Sequence, residues 1–246
     1  MKKAVIIGVG PIDGLGAALA EKFCKNGLEV FISGRTKSKL DEVSNYLFKK
    51  KYKVKPFVAD ATNIRDLENL FNQVGRGLDI AIYNVGNNMP GKIIDIEPEY
   101  FEECWKQCCF GGFLFSQFVI KKYVAEKTPG TILFTGASAS LRGKNNFGAF
   151  NSGKGALRNF CQALAKECQD FNIHVAHIII DGGLDGERIK TRIPNIPVVF
   201  GFLEFNRPII SEALDQLRNM GVERIIALPA MLFAAGHTKN DIPAVL

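Results

Sequence analysis

One stretch decides the fold: Gly8-Val9-Gly10-Pro11-Ile12-Asp13-Gly14-Leu15-Gly16. It follows a short apolar run at residues 4–8 and leads into a helix-favouring run at residues 17–20. Glycines between a strand and a helix allow a tight turn, let main-chain N–H groups approach a pyrophosphate, and leave the helix N-terminus to stabilise its charge. The stretch therefore predicts a dinucleotide-binding loop rather than a plain glycine-rich turn. The residues predicted to hold the phosphates are Gly10, Ile12, Gly14, Leu15 and Gly16.

Strand-like and helix-like segments alternate from this loop onward. Apolar, β-branched runs predict strands at residues 4–8, 30–33, 54–59, 80–84, 131–135 and 174–180. Segments with helical periodicity lie between them, at residues 14–26, 37–50, 64–74, 99–125 and 149–169. Continuously apolar strands are buried on both faces, and helices of this length serve as crossovers between parallel strands. The prediction is an α/β fold, a Rossmann-like doubly wound parallel sheet in three α/β/α layers.

Composition excludes several classes of protein. The chain has 246 residues, of which 47% are hydrophobic and 23% charged, values typical of a packed domain and not of a disordered chain. The first apolar run is broken by Gly10 and Pro11 before it reaches the length of a secretion signal, and no stretch approaches the roughly 20 apolar residues of a membrane helix. We therefore expect a cytoplasmic protein, and the modest net charge of +6 predicts no nucleic-acid partner.

The cysteines also bear on the compartment. None of the six is in a CxxC pair, and most lie in apolar helical segments: Cys24, Cys104, Cys108, Cys109, Cys161 and Cys168. This distribution predicts buried thiols in a reducing compartment, without disulfides or a cysteine metal site.

The end of the second predicted strand indicates which nicotinamide cofactor binds. Enzymes that use NAD place Asp or Glu about 20 residues beyond the glycine loop, on the ribose 2′-OH. This chain has Arg35 there, nineteen residues after Gly16, with Thr36 and Lys39 close by. A guanidinium can pair with a 2′-phosphate through two charge-assisted hydrogen bonds. The sequence thus favours NADP(H) over NAD(H); the alternative is that Arg35 is an ordinary surface residue.

With these residues in view, residues 1–193 resemble the short-chain dehydrogenase/reductase family. The Gly10-xxx-Gly14-x-Gly16 spacing matches the family's TGxxxGxG loop with Val9 for Thr, or else Gly8 is the first glycine and two residues are inserted. The resemblance implies that Asp60 contacts adenine, with Ala61 beside it. Three further matches lie in the NNAG element, where Tyr83 replaces the first Asn: Asn84, Val85 and Gly86.

The catalytic positions implied by the resemblance depart from the family's Asn, Ser, Tyr and Lys. In that order they hold Cys108, Ala137, Phe150 and Lys154. Ser138 could take the serine's role if the loop is shifted by one residue. Lys154 lies one helical turn from Phe150 and, as in the family, can reach the nicotinamide ribose.

Phe150 determines how the reaction is interpreted. A phenylalanine has no proton to give to a carbonyl oxygen, and general acid catalysis typically contributes about 10² to 10⁴ in rate. Two hypotheses follow: an NADPH-dependent oxidoreductase with an unconventional proton source, namely Ser138, water or Lys154, or a non-catalytic NADP-binding module. The predicted helix at residues 99–125 is apolar on nearly every side. Family members commonly pair through this helix and the next, which implies a homodimer or homotetramer.

Beyond residue 193 the resemblance changes. Residues 194–246 predict a strand at 198–203, a helix at 208–220 and a strand at 224–228, and they resemble the small sirohydrochlorin cobalt or iron chelatases. In that family a histidine at the position of His237 binds metal with a second histidine, which has no counterpart here. His174 and His177 lie three apart on a predicted strand and so point to opposite faces. We therefore predict no metal site; the remote alternatives are that His237 binds a metal alone and that the chain is a metal chelatase. The join could be a natural fusion, a deliberate splice or an assembly artefact, and the added segment could extend the sheet.

Overall fold

The computed structural model describes residues 2–180 and 210–221 of the protein. The chain divides into two units, Met1–Ile179 and Ile180–Leu246. The domain boundary predicted at residues 193–194 lies outside the described residues, as do His237 and the predicted strands at 198–203 and 224–228.

Within residues 2–180, six strands form one sheet. They are β1 (Lys3–Ile7), β2 (Glu29–Gly34), β3 (Val54–Val58), β4 (Leu78–Tyr83), β5 (Gly130–Ala137) and β6 (Ile173–Ile180). Their spatial order is β3-β2-β1-β4-β5-β6, and the pairs β2–β3, β1–β2, β1–β4 and β4–β5 are parallel. The strand order reverses between β1 and β4, which confirms the predicted doubly wound sheet and places a topological switch point at their carboxyl ends.

Helices connect the strands. In the first unit they are α1 (Leu15–Lys25), α2 (Lys37–Lys49), α3 (Ile64–Val74), α4 (Pro98–Trp105), α5 (Gly111–Glu126) and α6 (Gly148–Glu167). Short 3-10 turns cover Ile93–Asp95, Ser138–Ser140 and Gln169–Phe171. In the second unit the predicted helix at 208–220 corresponds to α7 (Ile210–Asn219), on which Ala213, Leu214 and Leu217 are buried.

The predicted helix at 99–125 is not uniformly α-helical. A π-helical turn, Lys106–Phe110, joins α4 to α5. The buried Tyr83 hydroxyl donates a hydrogen bond of 2.5 Å to the Gln107 carbonyl oxygen, and the Gly111 N–H bonds back to Lys106 instead. The Tyr83 hydroxyl thus takes the carbonyl to which the Gly111 N–H would donate in an α-helix. The side chain responsible comes from β4, so helical periodicity could not reveal it.

The core lies on both faces of the sheet. Val5 and Ile7 of β1 face a cluster that includes residues of α3, α5 and α6, whereas Ala4 and Ile6 face a cluster with α1 and α2. All four of these β1 side chains are at most 1% exposed, as expected for a central parallel strand. The helices therefore cover both faces, and the three-layer prediction is confirmed. No described helix has the length and apolar character needed to span a membrane.

The thiols are buried as predicted. All six cysteines lie in the described region, form no disulfide and are buried. Within residues 2–180 and 210–221 no three His, Cys, Asp or Glu side chains are grouped closely enough to hold a metal ion.

Candidate functional site

The loop after β1 begins with a residue that must be glycine. Gly8 has φ +93°, and a Cβ there would lie 2.5 Å from the main-chain oxygen of Asn84. The N–H groups of Gly8 and Val9 both donate to the Ser33 carbonyl at 2.9 Å. The loop is therefore fixed between the ends of β2 and β4, at the switch point of the sheet.

The later glycines have different roles. A Cβ on Gly16 would lie 2.9 Å from the Val9 Cα, so this glycine allows α1 to approach the loop closely. The Gly14 N–H donates to the Pro11 carbonyl at 2.9 Å and closes a turn. Gly10 has no atom within 4 Å of its Cβ position. Of the two candidates for the first motif glycine, the position that requires glycine for steric reasons is therefore Gly8, whereas the main chain at Gly10 is unobstructed.

The N-terminus of α1 can accept an anion. Its cap residue is Gly14, which has no side chain to satisfy the first N–H groups, and the first turn contains no acidic residue. Unsatisfied N–H groups and the positive end of the helix dipole attract phosphate. The loop and α1 together form a cradle that fits a pyrophosphate.

Arg35 follows the last residue of β2 and lies beside two carboxylates. Its Nη1 is 4.0 Å from Asp60 Oδ2 and 3.7 Å from Glu103 Oε1, and its side chain is 57% exposed. A Cβ on the preceding Gly34 would collide with the Val9 carbonyl, so the end of β2 approaches the glycine loop closely. The guanidinium is thereby held beside the loop and remains accessible to an anion. Thr36, the neighbour predicted to assist it, occupies the N-cap position of α2, and its side chain makes no capping hydrogen bond.

Asp60 is anchored just beyond β3. Its Oδ1 accepts hydrogen bonds from the Thr62 N–H at 2.8 Å and the Thr62 hydroxyl at 2.7 Å. Its own N–H donates to Asp66 Oδ2 at 2.9 Å. Ala61, the other residue predicted here, is only 4% exposed.

Asn84 ties the two central strands together. Its side-chain nitrogen donates to the Gly8 carbonyl and its main-chain N–H to the Ile7 carbonyl, both at 2.9 Å. Two residues further on, a Cβ on Gly86 would lie 3.5 Å from Lys154 Nζ and 3.7 Å from Phe150 Cε2. The segment after β4 thus contacts both the glycine loop and the start of α6.

Lys154 is buried and already paired with main-chain oxygens. Its side chain reaches from α6 to the sheet edge, where Nζ donates to the Val85 and Thr135 carbonyls at 2.9 Å each. The residue is only 4% exposed, and burial lowers the pKa of its ammonium. Nζ lies 5.8 Å from the centre of the Phe150 ring. The lysine and the aromatic ring are therefore neighbours, as the one-turn spacing predicts.

Phe150 packs on an apolar cluster formed where α4, the π turn and α6 meet. The cluster contains the buried residues Cys104, Cys108 and Ala149, with Ile96, Tyr100 and Phe150 packed against them. A Cβ on Gly153 would lie 2.8 Å from Cys108 Cβ, so this glycine lets α6 approach the π turn.

Cys104 and Cys108 form a thiol pair that the sequence reasoning missed. The Cys104 thiol lies 3.1 Å from the Asn87 carbonyl oxygen. A hydrogen bond from Cys104 and the positive charge of Lys154 lower the pKa of Cys108, whereas the pKa of Cys104 is raised. Their i, i+4 spacing was the available signal.

The end of β5 has no hydroxyl at the serine position. Ala137 ends β5, and Ser138 begins the turn Ser138–Ser140, in which the Ser140 hydroxyl donates to the Ala137 carbonyl at 2.7 Å.

His177 of β6 packs against Gly136 of β5, a contact that its position in the sequence does not predict. A Cβ on Gly136 would contact its ring, and its Nε2 is buried without a partner among the described residues. Burial lowers the pKa of His177 to about 4.

Comparison with known proteins agrees with this geometry. A family model described as short chain dehydrogenase matches residues 2–188. A second family model, CbiX, matches residues 185–246, in agreement with the chelatase resemblance of the C-terminal segment.

Individual relatives give the same picture. The oxidoreductase asL5 of Sarocladium schorii is 32% identical over 184 residues, which cover 71% of this chain and 69% of the relative. A short-chain dehydrogenase structure from Rhodopseudomonas palustris is 30% identical, with a TM-score of 0.68, and the match covers 80% of this chain and 92% of that one. A gluconate 5-dehydrogenase from Burkholderia cenocepacia, in complex with NADP and tartrate, has a TM-score of 0.70 at 17% identity and covers 79% of this chain and 76% of that one.

The family model covers well over half of the chain, and the sheet order, the glycine loop and the buried lysine agree with it. The chain therefore belongs to the short-chain dehydrogenase family and is an oxidoreductase of that type.

Proposed function

We propose that the protein binds NADP(H) at the carboxyl edge of its sheet and catalyses hydride transfer to a small organic substrate. One observation carries the proposal. An open glycine loop and the uncapped N-terminus of α1 lie beside the accessible guanidinium of Arg35, which together offer sites for a pyrophosphate and a 2′-phosphate.

The nucleotide half of the cofactor fits the residues at the first three strands. Gly10, Ile12, Gly14, Leu15 and Gly16 would hold the pyrophosphate. Arg35, Thr36 and Lys39 would hold the 2′-phosphate, with Asp60 and Ala61 at the adenine. The gluconate 5-dehydrogenase structure, a neighbour of the same fold, is in complex with NADP, which supports this assignment.

The reacting half fits the segment after β4 and the start of α6. Asn84, Val85 and Gly86 would border the nicotinamide ribose, and Lys154 would bind its hydroxyls. When bound, the nicotinamide supplies or accepts hydride. Lys154 is held in position by the Val85 and Thr135 carbonyls, so its ammonium is oriented before the cofactor arrives.

The residues assigned to proton transfer set the expected rate. By resemblance, Cys108, Ala137 and Phe150 occupy the positions of Asn, Ser and Tyr. Protonation of a ketone oxygen would then depend on Ser138, water or Lys154. Because positioned acids typically contribute about 10² to 10⁴, turnover of ordinary ketones should be slow.

A second candidate function is an NADP-binding module without catalysis. The observation that favours it is the Phe150 ring beside Lys154, where the family's reaction needs a phenol. This version predicts tight NADPH binding with no consumption of the cofactor.

Binding and turnover together test the proposal. Wild type and Arg35→Glu would be titrated with NADPH and NADH by fluorescence, and then assayed for NADPH oxidation with a panel of carbonyls and activated alkenes. We expect wild type to prefer NADPH and Arg35→Glu to lose that preference. Tighter binding of NADH by wild type would exclude the cofactor assignment. Binding without turnover of any substrate would favour the module.

We also propose that the protein is a cytoplasmic homodimer or homotetramer. Three aromatic side chains along the α4–α5 helix are 37–40% exposed: Phe101, Trp105 and Phe113. Exposed aromatic residues on one helical segment favour a protein interface. Light scattering of wild type and Trp105→Glu would test this, because the variant should dissociate.

For the domain organisation we propose a nucleotide-binding part at residues 1–193 and a chelatase-like part at 194–246. The two family matches meet at residues 185–188.

A further inference from the structure

We propose that the substrate is a cationic iminium with an apolar ring system, and not a neutral ketone. This inference rests on the proposed NADP(H)-dependent function and specifies its substrate class. The observation behind it is a benzyl ring, Phe150, placed beside a buried ammonium on an apolar cluster, where the family's carbonyl chemistry requires an acid.

The proton balance of the two reactions differs. Hydride addition to a ketone forms a C–H bond and leaves an alkoxide, which must take up a proton. Hydride addition to an iminium carbon also forms a C–H bond, but the C=N π pair becomes the nitrogen lone pair and the product is a neutral amine. The dihydronicotinamide is oxidised to the nicotinamide cation in both cases. Iminium reduction therefore needs no acid in the site.

Two groups close to Phe150, Lys154 and Tyr100, are poorly placed to act as acids. Lys154 donates to two carbonyl oxygens at 2.9 Å, so two of its three ammonium hydrogens are engaged with main chain. The Tyr100 hydroxyl lies 3.0 Å from the Met89 N–H and 3.2 Å from the Met89 carbonyl oxygen, so it is engaged with main chain. Burial raises the pKa of Tyr100, which weakens it further as an acid.

The same residues suit a cation. The face of an aromatic ring attracts positive charge, and this attraction grows when the cation is removed from water. The ammonium of Lys154 would oppose a second cation, but two carbonyl oxygens at 2.9 Å partly offset its charge. The Lys154 ammonium already lies 5.8 Å from the centre of this ring, at the outer limit of a cation–π contact. Phe150 can therefore stabilise positive charge beside it, whereas it offers a developing alkoxide no stabilisation.

The edge of the site indicates an apolar substrate. Three large hydrophobic side chains after β4 are more than half exposed: Met89, Ile93 and Ile94. Leu141, after β5, is 55% exposed. A Cβ on Gly148 would contact Ile93, which places this side chain two residues from Phe150 along α6. Exposed apolar side chains at the carboxyl ends of neighbouring strands favour a ligand with an apolar ring.

A matched pair of substrates tests the inference. N-methyl dihydroisoquinolinium carries a permanent positive charge, and tetralone is a neutral ketone of similar shape. The purified full-length protein would be assayed with each by NADPH absorbance, after its NADPH dissociation constant has been measured by fluorescence. We expect kcat/KM for the iminium to exceed that for the ketone by about 100-fold or more, the value of a missing acid. The iminium rate should not change with pH across neutrality, because no proton is consumed.

Phe150→Leu is the matched variant, because it keeps an apolar side chain and removes the aromatic face. We expect about a tenfold lower kcat/KM for the iminium, the scale of a cation–π contact, with an unchanged NADPH dissociation constant. An unchanged iminium rate in this variant would overturn the role of the ring.

Other results would overturn the inference in distinguishable ways. Equal rates on tetralone and the iminium would overturn it and leave the oxidoreductase proposal intact. No turnover of either compound by a protein that binds NADPH would overturn it and favour the binding module. Failure to bind NADPH would overturn the proposed function itself.

Discussion

The half of the sheet edge around β1 and β2 differs from the half around β4, β5 and α6. The first half has the residue types that dinucleotide binding needs. Gly8 has φ +93° and Gly16 packs against Val9, so both positions require glycine, and the Arg35 guanidinium is accessible to an anion. In the second half, Lys154 is present at the family's lysine position, but the Phe150 ring and the thiols of Cys104 and Cys108 lie around it.

The contrast separates two physical demands. Holding a diphosphate depends mainly on main-chain geometry and a helix terminus, so a few glycines preserve it. Moving a proton depends on one titratable group at one place, so a single change from Tyr to Phe removes it. We therefore expect cofactor binding and carbonyl chemistry to respond independently to mutation.

The largest expected effect is a gain of ketone reduction in the double variant Phe150→Tyr/Ala137→Ser. It would restore a phenol beside the Lys154 ammonium, and we expect ketone kcat/KM to rise by about 10² or more. Steady-state assays of NADPH oxidation would measure it. Ser138→Ala in the same background is the control and should not remove the gain. A double variant that folds, binds NADPH and still fails to reduce ketones would contradict our assignment of the reacting half.

A substitution in the nucleotide half should affect folding. Gly8→Val would force a β-branched residue to φ +93° and place its Cβ 2.5 Å from the Asn84 oxygen. We expect a loss of about 3 kcal/mol or more in the free energy of unfolding, measured by urea denaturation. Gly10→Ala is the matched control, since its Cβ position is open. This variant should fold normally and bind NADPH more weakly; equal destabilisation of both would contradict the distinction between the two glycines.

His177 should make stability depend on pH. Its pKa falls from 6.5 to about 4 on burial, so between these values the unfolded state binds the proton and the folded state does not. Stability is therefore complete above pH 6.5 and declines as the pH falls toward 4. We expect a loss on the order of 2 kcal/mol between about pH 7 and pH 5. Urea denaturation at both pH values should show a smaller loss of stability for His177→Gln than for wild type. The exposed His174→Gln should show the same loss as wild type.

Glu103→Gln should have the smallest effect. Its carboxylate lies 3.7 Å from Arg35 Nη1 and would repel a 2′-phosphate bound there. Because the pair is exposed, we expect NADPH affinity to rise by only about 2- to 5-fold, with NADH affinity unchanged. Glu102→Gln is the control, since that carboxylate pairs with Lys106 instead. Fluorescence titration at low salt would show the difference, and an equal effect of both variants would contradict it.

Features that depend on interactions between residues close in sequence could be predicted, and features that depend on contacts between distant residues could not. The strands and the helices α1, α2, α3 and α6 follow local periodicity and lie within a few residues of their predicted bounds. The π turn was missed because Tyr83, distant in sequence, takes the Gln107 carbonyl. The buried Nε2 of His177 was missed for the same reason, since it depends on packing against Gly136 of the neighbouring strand.

The site followed a similar rule. The phosphate loop and Arg35 were found because glycine spacing and strand length fix their positions along the chain. The position of Cys104 and Cys108 beside Lys154 was not predicted, because it depends on the close approach of α6 to the π turn at Gly153. Motif spacing therefore predicted the residues of the nucleotide half. For the reacting half it predicted only that the family's Asn, Ser and Tyr are absent.

Calorimetric titration with fragments of the cofactor would test the independence of the nucleotide half most directly. Phospho-ADP-ribose with a 2′-phosphate, and ADP-ribose without it, both lack nicotinamide and so report on the glycine loop and Arg35 alone. The expected result is binding of both, with at least about a tenfold preference for the 2′-phosphate, the scale of one charge-assisted bidentate contact. Failure of either fragment to bind, or equal affinity for the two, would contradict it.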